Sequence, residues 1–112
     1  ARFYDGADLD RAMAYIEEAF LSIEKYEQSD PSLYEKLKKR ITYDKICIRH
    51  CQLNGYATYY DISTVRTQGM KWYNEMKEDL EYLGTSFNYA EAWYKTMEKD
   101  LENIFSILNG LM

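Results

Sequence analysis

The sequence predicts an all-α fold, an up-down-up-down antiparallel four-helix bundle with a long, centrally buried second helix. Three observations predict it. The chain of 112 residues holds a single Pro. Apolar residues recur at helical spacing in four segments, and no strict apolar/polar alternation runs long enough to make a strand. The joints "EQSDP", "YDIST" and "GTSFN" are short, and short joints make sequential helices antiparallel neighbours.

The first helix is predicted from about Asp8 to Glu27. Leu9, Ala12, Met13, Ile16, Ala19, Phe20 and Ile23 form one stripe, with Arg11, Glu17, Glu18, Glu24 and Lys25 opposite. The second begins after Asp30, which can cap, with Pro31 in the first turn where its missing N–H costs nothing. It runs toward Tyr60, with a candidate break at Asn54-Gly55. The third is predicted from about Ser63 to Leu83, stopped by Gly84. Its stripe is Val65, Gly69, Tyr73, Met76, Leu80 and Leu83. The fourth starts near "NYAE", where Asn88 and Glu91 have capping-box spacing. Its stripe is Ala90, Trp93, Met97, Leu101, Ile104, Leu108 and Leu111.

This length suits one domain, residues 1–112. A chain of this size buries about two thirds of its surface on folding, so one core suffices without a metal or disulfide. The formal net charge is −5, and the densest basic run, "KLKKR", carries no basic face beyond itself. Nucleic acid is not an expected partner. No apolar run is long enough to span a membrane. The start "ARFYDGAD" has neither a leader's pattern nor an initiator Met, so the chain reads as a piece of a longer protein. No internal repeat of useful length appears.

The stretch "KICIRHCQLNGYATYY" carries the residues most able to do chemistry. Cys47, His50 and Cys51 share a helical face. A zinc site would need ligands beyond these three from one helix, and the chain has no other Cys or His. The same helix shows two apolar stripes. One is Leu33, Leu37, Ile41, Ile48 and Cys51; the other is Tyr43, Ile46, Cys47, His50, Leu53 and Ala57. The polar strip between them, Lys45, Arg49, Gln52 and the Tyr56 edge, is narrow. Burial on more than one side is therefore expected, with both thiols as small core residues. No catalytic residue, cofactor or metal is expected. Asp44 interrupts the first stripe and is within reach of Arg40 as a helix ion pair. Gly69 lies mid-stripe, where a bare Cα permits close helix approach.

Twelve tyrosines are many for this length. Tyr56, Tyr59 and Tyr60 cluster near one end of the predicted second helix and are the candidate contact surface. Tyrosine joins an apolar ring to a wet hydroxyl, which suits seams and docking surfaces. The expected partner is a neighbouring domain. A carbohydrate or peptide gripped by these rings is the alternative, and a small enzyme using Cys47 and His50 is a second.

The run "LKKRITYDKICIRHCQLNGYATYY", preceded by "AMAYIEEAF", resembles the helical region toward the C-terminus of large secreted bacterial glycosidase-like proteins. The resemblance covers roughly half the chain, and Arg40, Ile41, Arg49 and Leu53 are the positions that match. It implies a non-catalytic helical unit beside a catalytic barrel, with carbohydrate as the parent's substrate. A periplasmic or extracellular location follows from the same resemblance. No catalytic residue is carried over by it.

Overall fold

The computed structural model describes residues 6–54, 61–84 and 90–111, and these are helical apart from the short joints and helix ends, with no strand among them. We label the helices α1 (Gly6–Ile23), α2 (Tyr26–Ser29), α3 (Pro31–Asn54), α4 (Ile62–Leu83) and α5 (Ala90–Leu111). The predicted first helix thus divides: α1 stops at Ile23 and the single turn α2 follows. Asp30 ends that turn, its N–H donating to the Tyr26 carbonyl. It also opens α3, its carboxylate accepting the Leu33 N–H.

α4 has well-defined ends. The Asp61 carboxylate accepts the Thr64 N–H at 2.8 Å, the side-chain cap that an exposed helix start requires. At the other end Gly84 adopts φ +64°, a left-handed conformation that lacks a Cβ penalty only in glycine, and returns its N–H to the Leu80 carbonyl. Residues 55–60 and 85–89 lie outside the described residues, and with them the candidate break at Gly55 and the Asn88 cap.

The main core joins α3, α4 and α5. Ile46 and Leu53 from α3 meet Val65, Trp72, Met76, Leu80 and Leu83 from α4 and Met97, Leu101, Ile104 and Leu108 from α5. Ile46 and Met76 are wholly enclosed. α3 packs on α4 antiparallel, because Lys45 meets Asp79 while Arg49, one turn further on, meets Glu75. α4 packs on α5 antiparallel, with Tyr73 against Phe105 and Gly69 against Leu108. A Cβ built on Gly69 would stand 2.7 Å from a Leu108 methyl, so the bare Cα leaves room for Leu108 in the rotamer it adopts.

α1 packs against α3 through its own stripe of Leu9, Met13, Ile16 and Ile23, which lies outside the main cluster. The apolar residues of α3 not spent on the cluster, Leu37, Ile41 and Ile48, are half-buried on the wheel face left for it.

The expected burial of α3 is corrected. Its fully buried residues are Thr42, Ile46, Gln52 and Leu53. Cys51 is exposed and Cys47 only half-buried. The reason lies in the narrow polar strip: Lys45 and Arg49 turn toward α4, where Asp79, Glu75 and Trp72 receive them, and Gln52 accepts from Arg49. Gln52 retains only 1% of its exposure. Polar side chains with partners can be buried, and when they are, the helix rotates its other faces outward. The most buried helix is α4, with six enclosed positions.

Candidate functional site

Lys45 Nζ lies 2.9 Å from Asp79 Oδ2 and 3.8 Å from Glu75 Oε1. The closer contact is an ion pair that falls outside hydrogen-bond alignment, since Asp79 Oδ2 has no aligned donor among the described residues. Arg49 donates to Glu75 and to Gln52, both at 2.8 Å, and its guanidinium lies 5.6 Å from the Trp72 ring centre. These groups are mostly shielded, so each contact is worth more than a surface pair.

His50 reaches the opposite helix, its Nε2 2.8 Å from Asp100 Oδ2. Asn54 places its amide 2.9 Å from the same nitrogen. A carboxylate only accepts, so the proton sits on Nε2 and the amide best turns its oxygen toward it. The imidazole therefore clips α3 to α5, as does Tyr43 against Trp93, ring centres 4.9 Å apart. Asp44 pairs loosely with Arg40 at 3.6 Å, the expected helix ion pair.

The structure does not gather Cys47, His50 and Cys51 about a common point. Among the described residues no group of three or more His, Cys, Asp or Glu is placed to hold a metal ion. Burial pushes the Cys47 thiol above its ordinary value; a Tyr43 hydrogen bond opposes that, and the Asp44 charge adds to it. A raised thiol is a poor nucleophile at neutral pH. Tyr56, Tyr59 and Tyr60 lie outside the described residues.

What the sequence reading missed is a cleft of about 210 Å³ between α4 and α5. Leu80 and Leu101 floor it, Tyr73 and Tyr94 wall it, and Lys77, Glu81, Glu98 and Glu102 stand on its rim. The four rim groups make no ion pair with one another or with any described residue. Burial, then the charges of Glu98 and Glu81, push the Tyr94 hydroxyl up from its ordinary value.

A signal for this cleft is present in the chain, and the reading that no useful repeat exists is corrected by it. "WYNEMKEDLEYL" at 72–83 and "WYKTMEKDLENI" at 93–104 agree at six of twelve positions with a fixed offset. The cleft is lined by four equivalent pairs: Tyr73 with Tyr94, Lys77 with Glu98, Leu80 with Leu101, Glu81 with Glu102. Two like segments packed antiparallel produce a pseudo-twofold site. The same relation extends to α3, where the two Asp of the repeat take Lys45 and His50 and the two Trp take Arg49 and Tyr43.

No protein-family model, no curated protein and no solved structure matches this chain. No helix of the described residues is long and apolar enough to cross a membrane.

Proposed function

We propose that this chain is a non-catalytic helical accessory domain that docks on a neighbouring domain of the same polypeptide. In this reading α1, α3, α4 and α5 form an up-down-up-down bundle, and the parent is an exported carbohydrate-active protein of the glycosidase-like kind. The observation that carries it is the use made of the chemically capable side chains. His50, Asp100, Lys45 and Arg49, the groups that could serve as acid, base or anion holder, are committed to holding helices together. A scaffold spends its polar groups this way, and offers its partner a surface instead. Aromatic and aliphatic side chains stand in solvent on it, among them Tyr15, Leu21, Phe105 and Ile107.

The test is to express the full-length gene product with and without residues 1–112 and to compare melting temperature and glycan hydrolysis. A lower melting temperature or lost activity on removal supports docking. Unchanged values in both would remove it.

A further inference from the structure

We propose that the cleft between α4 and α5 receives one arginine side chain from a basic segment of a partner domain, its guanidinium seated at the Tyr94 end between Glu81 and Glu98. This rests on the reading of the chain as a docking module and specifies the chemistry that it docks.

Size comes first. Drug-sized ligands fill pockets of about 300–1,000 Å³, and this cleft, at about 210 Å³, suits one long side chain. Its floor of Leu80 and Leu101 accepts a methylene stem, and its tyrosine walls present ring faces.

Charge comes second. Three carboxylates and one lysine ring the cleft, and none is neutralised by a described neighbour. The rim is therefore short of positive charge, in a chain that is itself acidic. A basic partner is the complement.

The broken symmetry gives the orientation. Position by position the two halves agree except that Lys77 stands where its counterpart is Glu98. In the antiparallel register set by Tyr73 against Phe105, Lys77 and Glu102 belong to the Tyr73 end and Glu81 and Glu98 to the Tyr94 end. One end is balanced and the other doubly acidic. A cation with a single head enters one way round. Guanidinium is favoured over ammonium because its plane stacks on tyrosine while its edge donates to two carboxylates.

The probe is an N-acetylated pentapeptide amide with one central arginine between glycines, titrated into the isotopically labelled protein and followed by amide and tyrosine-ring NMR shifts. Saturable shifts confined to the facing turns of α4 and α5 are expected. The same peptide with citrulline, equal in shape but uncharged, should produce none. Glu98→Gln should weaken binding about tenfold, the loss of one charge-assisted contact, and Lys77→Glu should strengthen it. All these rim residues are exposed, so the variants keep the fold. Citrulline binding as well as arginine, unsaturable shifts over the whole acidic surface, or indifference to Glu98→Gln would each overturn the proposal. If removal of residues 1–112 destabilises the parent while the arginine peptide fails to bind, the docking reading stands and this site falls. Binding without any effect of removal is the reverse case.

Discussion

Asp79 and Asp100 hold the same place in two successive copies of one sequence pattern, and each ties its helix to α3, Asp79 through Lys45 at 2.9 Å and Asp100 through His50 at 2.8 Å. α3 is thus gripped from two sides by one device used twice. The wholly enclosed Ile46 lies between the two grips.

Arg49 is the strongest of these ties. Its guanidinium makes a fork to Glu75 and Gln52 and covers Trp72. Arg49→Ala should cost about 2–3 kcal/mol in urea unfolding, the sum expected for a shielded charged hydrogen bond and a cation–π contact. Arg49→Lys keeps the charge and loses the fork, and should recover less than half of that.

The two thiols should separate cleanly in a labelling experiment. Cys51 is exposed, while Cys47 is half-buried and its thiol is pushed up by that burial. A maleimide or disulfide reagent at neutral pH should modify Cys51 at least about tenfold faster than Cys47, since rate follows access and thiolate fraction. Cys51→Ser should abolish the fast phase. Equal slow reaction of both, only on unfolding, would restore the core placement.

The α4 cap makes stability depend on acid. The Thr64 N–H donating to Asp61 holds that carboxyl below its ordinary value of 3.8. A lowered folded value means that the contribution is complete above 3.8 and drains away as pH falls from there through the folded value. Asp61→Asn retains an acceptor for the cap without the charge. Urea midpoints for the parent should drop more than those of Asp61→Asn between pH 6 and pH 3 (both chosen to bracket the carboxyl range).

Gly69 on α4 lies under the Leu108 side chain of α5. In Gly69→Ala the new methyl meets the far end of Leu108, which can turn, and alanine's helix preference of about 1 kcal/mol offsets the repacking. Little net change is expected. Gly69→Leu cannot be relieved that way and should cost about 1–3 kcal/mol. Combined with Leu108→Ala it should be less damaging than the two singly added, a coupling that a double-mutant cycle measures.

The helices were legible because apolar spacing and end signals agree: Pro31 opens α3 and Gly84 closes α4 where the chain says they should. The stripes of α1, α4 and α5, where their side chains are described, fell on the enclosed faces for the same reason. α3 misled, because hydropathy treats Lys45, Arg49 and Gln52 as outward whatever stands opposite. Only the acids of α4, more than twenty residues on, decide that they turn inward. Trp72 was missed by one helical step, lying at the edge of its stripe yet buried under Arg49. The cleft was written in the repeat, but a match broken at half its positions reads as noise until the two copies are seen side by side.

The duplication presents α3 with a degenerate landing ground, since turning it end for end would still offer a nitrogen donor to each aspartate. Tether length resolves the ambiguity. A helix of 24 residues is about 36 Å long, whereas the stretch from Asn54 to Asp61 reaches at most about 25 Å. The inverted seating is out of reach for the connected polypeptide, and would open to it only if that stretch were lengthened or cut.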